Sequence, residues 1–205
     1  MDHLKFSSLL CSQVFHDLAG PIGVIDNTLD LVSSEDLSDF NLEEFNFISK
    51  SAKQAVIQLK FLRVLFGNTP SSIDLNDAFK LSNEYLNLKN VKLTWSKEKA
   101  LIESDAVFVK LIMSFFYGSK VVLPYGGDIQ VFYISENNIE IKFLSKKIID
   151  DEKILNLINC NSIKEPPDSK LLPFVFISLL SNRLGLKFKK ISNFNQVIYK
   201  AKKII

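Results

Sequence analysis

The sequence predicts an α+β protein: a long helical hairpin followed by an α/β two-layer sandwich. Three observations predict it. Apolar residues recur at three- and four-residue steps through the first third of the chain. A Gly/Pro/Ser-rich break, Gly67-Asn68-Thr69-Pro70-Ser71-Ser72, then ends that pattern. Beyond it, helical segments alternate with short strands of period two. The domains are read as 1–67, a helical dimerisation unit, and 73–205, the sandwich.

The first helix is expected from about Leu4 to Val32, roughly 40 Å long at 1.5 Å per residue. Its apolar stripe is Cys11, Val14, Leu18, Ile22, Ile25, Leu29 and Val32. His16 lies on the opposite side, in line with Gly20, Gly23, Asn27 and Asp30. An imidazole above a strip of small residues is an odd place for a core histidine. Pro21 interrupts this helix at a cost of about 3 kcal/mol and leaves the Asp17 carbonyl without its donor, so the loosened turn lies beside His16. After a polar loop, Asn41 is expected to cap a second helix, with Glu44 completing a capping box and Phe40 with Phe45 forming a hydrophobic staple. Its stripe runs Leu42, Phe45, Ile48, Ala52, Ala55, Leu59, Leu62, Phe66, and Gly67 ends it. Two helices cannot hide both stripes alone, so pairing with a second copy into a dimeric four-helix bundle is expected.

Past the linker, a helix is expected over 76–88, a strand over 91–95, and a helix from a Ser104 cap to Val122. Gly126-Gly127 then turns into strands 129–134 and 139–144. A short helix near 151–158, a break at Pro166-Pro167, a helix over 171–184 and a closing hairpin (186–191 with 196–201) complete the chain. Phe115-Phe116-Tyr117 reads as core. Lys187, Lys189 and Lys190 read as an exposed hairpin face, and His3 near the terminus carries no role.

Composition narrows the class. In 205 residues, 47% hydrophobic with seventeen Phe, the chain has ample material for a folded core. No uninterrupted apolar run reaches membrane-spanning length, the start is not a secretory signal, and Cys11 and Cys160 form neither a disulfide framework nor a metal motif; a cytoplasmic protein with no membrane partner is expected. The net charge of +2 conceals nine acids against two lysines in residues 1–50, and seven basic residues with no acid in 183–205. The acidic first half disfavours a long nucleic-acid track, and no nucleic-acid partner is expected.

The string His16-Asp17-Leu18-x-x-Pro21-Ile22 resembles the phosphoacceptor box of histidine-kinase dimerisation domains. With the stretch to Val32, the second helix and the α/β layout, the chain is similar to the alphaproteobacterial histidine phosphotransferases of the ChpT type. The resemblance implies a dimeric bundle and a degenerate ATPase-like domain that passes phosphate without ATP. The family's two magnesium-box asparagines fall on Ser114 and Gly118, neither of which offers an amide oxygen. Where its Asp-x-Gly-x-Gly would follow, this chain has Leu144-Ser145-Lys146-Lys147-Ile148, and no Gly-rich lid.

The resemblance implies a single nucleophile. His16 would take a phosphoryl group from a receiver-domain aspartate and pass it to another. Asp17 is expected to accept a hydrogen bond from the imidazole or tune its basicity. Gly20, Pro21, Gly23, Asn27 and Asp30 form the expected partner face. The partners implied are receiver domains of a hybrid histidine kinase and of response regulators, with the magnesium on the receiver and no cofactor or metal held by this chain. Two other readings stay open at this point: a kinase fragment that binds ATP, and a binding module using the basic C-terminal hairpin.

Overall fold

The computed structural model describes residues 3–34, 42–68, 72–96, 103–135, 138–161 and 168–203. The capping residues expected at Phe40 and Asn41, and the Pro166-Pro167 break, lie outside them. Helix α1 (His3–Ser34) runs straight through Pro21 as one element, and α2 (Leu42–Phe66) packs beside it. The proline costs one backbone bond without ending the helix, which thirty-one other residues sustain. At the far end Gly67 donates to the Arg63 carbonyl, and Lys110 donates to the Gly67 carbonyl at 2.6 Å, placing a cation where the helix leaves carbonyls exposed.

The remaining elements are β1 (Ser72–Asp74), α3 (Leu75–Asn87), β2 (Val91–Ser96), β3 (Glu103–Asp105), α4 (Ala106–Tyr117), α5 (Ser119–Val122), β4 (Gly127–Ser135), β5 (Asn138–Leu144), α6 (Glu152–Ile158), α7 (Leu172–Leu184), β6 (Leu186–Asn193) and β7 (Gln196–Lys203). The main sheet has the order β2-β4-β5-β7-β6, with β2 and β4 parallel and the other pairs antiparallel. Register places Leu93 opposite Ile129, Val131 opposite Ile141, and Ile141 opposite Tyr199, so their side chains share the core face. Their sequence neighbours Lys92, Gln130 and Lys142 point away from it, and on that outer face Lys200 pairs with Glu140 at 2.7 Å.

Two departures from the sequence reading have clear causes. β1 and β3 form a separate two-stranded sheet, too short to show any period. The helix expected from Ser104 starts one residue later, because the Asp105 carboxylate accepts from the Val107 and Phe108 N–H groups. It also divides at Gly118, where a Cβ would stand 3.0 Å from the Phe174 ring.

Helix α4 is the centre of the molecule. Phe108, Val109 and every residue from Leu111 to Tyr117 are buried. Phe115 meets Phe143, Phe188 and Tyr199 on the sheet side. Phe66, from the end of α2, meets both Tyr117 and Phe176. Phe61 stacks on Tyr85 of α3 with centroids 3.9 Å apart. Phe61, Leu62 and Leu65 of α2 thus belong to the same core as the sheet, and Val14 and Leu18 of α1 pack against it. The helical layer of the sandwich is itself covered by the hairpin.

Farther along, the hairpin's stripes lack cover. Ile22, Leu29, Phe45 and Leu59 are exposed, as are Phe15, Val24, Phe47 and Val56. Polar residues interrupt the apolar sequence of Leu4–Leu31, yet by length and mean hydropathy alone this span could cross a membrane.

Because Phe61 is fully buried between the hairpin and α3, Phe61→Ala should lower the unfolding free energy by about 3–5 kcal/mol, measured in urea. A loss under about 1 kcal/mol would mean that the hairpin end is not part of the cooperative core.

Candidate functional site

The site forms where the middle of α1 crosses the C-terminal end of α4. His16 faces outward, with its side chain 83% exposed. Its Nδ1 stands 3.6 Å from Asp17 Oδ1, too far for a hydrogen bond but close enough for the carboxylate field to act. The imidazole bond expected of Asp17 is therefore not made. Asp17 turns the other way: Oδ2 accepts from the Tyr117 hydroxyl at 2.8 Å and Oδ1 from Gln13 Nε2 at 3.0 Å. Tyr117 lies one hundred positions along the chain, and α4 presents it because its other faces are already packed.

Burial, then the Asp17 charge and the hydrogen bond to it, push the Tyr117 hydroxyl far above the ordinary phenol range. Tyr85, beneath it, is pushed up by burial and then by Asp17. Lys89 lies over the Tyr85 ring, 5.6 Å from its centroid. A cavity of about 550 Å³ opens here, lined in part by His16, Asp17, Tyr85, Lys89, Tyr117 and Lys120. The sequence marks Tyr117 only as core. No local pattern identifies a residue whose partner is a hundred positions distant.

The expected partner face divides in burial. Gly20, Asn27 and Asp30 are exposed, and Pro21 and Gly23 are half-buried. A Cβ added at Gly20 or Gly23 would meet nothing within 4 Å, so neither glycine serves close packing within this chain. The strip beside the imidazole is open space.

At the positions of the asparagine box, Ser114 is fully buried and its hydroxyl donates to the Lys110 carbonyl at 2.6 Å. Gly118 is pressed against Phe174 and Pro173. Among the described residues, no three His, Cys, Asp or Glu side chains gather as a metal site. The basic hairpin differs from an open face. Lys190 is almost fully buried between Asp150 and Glu152, and Lys187 donates to the Asn159 carbonyl and Asn161 Oδ1. Cys11 and Cys160 are thiols, not joined in a disulfide.

Chemically, the field of the Asp17 carboxylate acts on Nδ1, and Nε2 is the ring nitrogen farther from it.

The chain matches no protein-family profile. It is 25% identical over 205 residues to the protein phosphotransferase ChpT of Brucella abortus (strain 2308), covering 97% of this chain and 95% of that one. A solved structure described as a bacterial phosphotransferase matches with a TM-score of 0.81 at 26% identity, covering 98% of both chains. The histidine kinase AdeS of Acinetobacter baumannii matches with a TM-score of 0.46 at 10% identity, covering 91% of this chain and 95% of that one. The likeness carried by residues 16–32 thus extends over the whole length and fold.

If the Tyr117–Asp17 bond seats α1, Tyr117→Phe should cost about 1–3 kcal/mol of stability. The folded state also keeps phenolic protons that the unfolded chain releases near pH 10, so stability is complete below that pH and falls as pH rises through it. Urea titrations from about pH 7 to about pH 11 should show this decline, less steep in Tyr117→Phe.

Proposed function

We propose that this chain, similar throughout to a ChpT-type phosphotransferase, relays phosphoryl groups between receiver-domain aspartates through His16. The observation that carries the reading is an imidazole 83% exposed, beside a strip where two glycines face open space. The Nε2 lone pair attacks the phosphorus of an aspartyl phosphate. The N–P bond forms as the P–O bond to the carboxylate breaks, and the aspartate leaves as carboxylate. A loose transition state asks for alignment and charge neutralisation more than covalent help, and the receiver's own magnesium supplies the latter.

Two features support a relay without nucleotide. Ser114 spends its hydroxyl on its own helix, and Gly118 is covered by Phe174, so neither position offers an oxygen to a metal. The basic hairpin is a weaker basis for function, because Lys187, Lys190 and Lys200 are already held by acids, an amide and a carbonyl.

We also assign a homodimer. Ile22 and Leu29 on α1, with Phe45 and Leu59 on α2, are large apolar side chains left exposed, each worth about 1.5–3 kcal/mol on full burial. A second copy of the hairpin buries them as a four-helix bundle, while the face of α1 bearing His16, Gly20, Gly23, Asn27 and Asp30 stays turned to the receiver.

A radiolabelled phospho-receiver should transfer label to the wild-type chain but not to His16→Ala, and the label should be acid-labile and base-stable. Protonation removes the attacking lone pair, so the transfer rate should fall as pH drops from about 8 to about 5. No label, or a flat rate, overturns the reading. Light scattering should give twice the chain mass at micromolar concentration, reverting to the single mass in Leu29→Glu with Leu59→Glu. A wild-type monomer overturns the dimer assignment.

A further inference from the structure

The residues lining the cavity beside His16 include three lysines, Lys89, Lys120 and Lys170, and one acid, Asp17, whose oxygens are already taken by Tyr117 and Gln13. Among the described residues none of the three lysines is within ion-pair distance of an acid. Lys89 is half-buried against the Tyr85 ring, an arrangement that an ammonium tolerates best with an anion close by. Burial lowers its pKa, Asp17 raises it, and the neighbouring Lys120 lowers it again, the pattern of a cation pair short of negative charge.

We propose that this cavity is a phosphoryl bay: Lys89 and Lys120 receive the phosphoryl group of phosphorylated His16 between its arrival and its departure. The inference rests on the reading of His16 as phosphoacceptor, and it assigns the ATPase-like layer a role in that step. The imidazole is part of the cavity's wall, so a group carried on the ring stands at the cavity's edge. A phosphoryl dianion there answers both ammoniums. Ammoniums paired with the dianion stabilise the phosphorylated state itself and hold it where water reaches it from fewer directions. The wall also screens the phosphorus from solvent on one side. Lys89 and Lys120 act here as positioning residues.

The test bypasses the receiver. Potassium phosphoramidate phosphorylates histidine directly: its P–N bond breaks, ammonia leaves, and the new P–N bond forms on the imidazole. Wild type, His16→Ala, Lys89→Met with Lys120→Met, and the two Lys→Arg variants are treated alike. Decay of the label and the ³¹P titration of the phosphoryl are then followed. Wild type should hold the label about five- to tenfold longer than the double Met variant, with its ³¹P titration midpoint at lower pH, since ammoniums favour the dianion. The Arg variants should retain both properties. Equal lifetimes and equal midpoints overturn the bay. Tight binding of inorganic phosphate by calorimetry, equal in wild type and His16→Ala, assigns the cavity to a free anion and overturns it as well. A lifetime effect without any transfer from a phospho-receiver leaves the bay standing and overturns the relay. A destabilised double variant is recognised by its urea midpoint, and Lys170→Met, on the exposed rim, then repeats the comparison with a smaller decrease expected.

Discussion

One hydrogen bond ties the exposed half of this molecule to its buried half. The Asp17 carboxylate, on a helix whose neighbouring imidazole is in solvent, accepts from the hydroxyl of Tyr117, the last residue of the most buried helix. A charged acceptor that is partly shielded makes such a bond worth about 1.5–3 kcal/mol, more than any single ring contact nearby. It does more than hold α1 down. With Oδ2 bound by Tyr117 and Oδ1 by Gln13, the carboxylate is prevented from closing on His16 Nδ1 and stays at 3.6 Å. The imidazole is therefore oriented by a field without being locked by a bond, and it keeps the freedom to rotate toward a partner or toward the cavity.

This arrangement is possible because α4 is buried nearly all round, with only Val107 and Lys110 half-buried. A helix packed on one face would show an amphipathic period, but 106–117 is apolar nearly throughout. The sheet takes one side through Phe115, and α2 takes another through Phe66. What is left at its end is one phenol aimed at α1 and one glycine against Phe174.

Elements with a strong period were legible in the sequence. Both long helices, the 129–144 hairpin and the 186–201 hairpin match the expected spans closely, because each carries a helical or alternating apolar period over enough residues to be read. Short or distant features were not legible. β1 and β3 are three residues each, below any detectable period. The division at Gly118 depends on Phe174 arriving from another helix. Lys190 reads as solvated until α6 and its cap bring Asp150 and Glu152 to it. At the site, the residue type and spacing around His16 were readable, but the partners of Asp17 were not. The i to i+4 bond from Gln13 was locally available; the bond from Tyr117 exists only once the fold has formed.

The apolar surface of α1 must be covered by something, and its length and hydropathy also suit a lipid environment. Within the span Leu4–Leu31 the helix carries Asp17, Asp26 and Asp30, and an acid near the middle of a membrane helix costs about 2.5–3.5 kcal/mol. Lipid around α1 would also separate Asp17 from Tyr117 and Phe6 from Phe176, and would strip Val14 and Leu18 from the core they touch. Helix pairing asks none of this. It covers Ile22 and Leu29 together with Phe45 and Leu59 of α2, leaves the acids and the imidazole in water, and keeps the seat on α4 intact. On the reading proposed above, the apolar stripe and the polar strip of α1 are two requirements of one helix: one side for another helix, the other for phosphoryl chemistry.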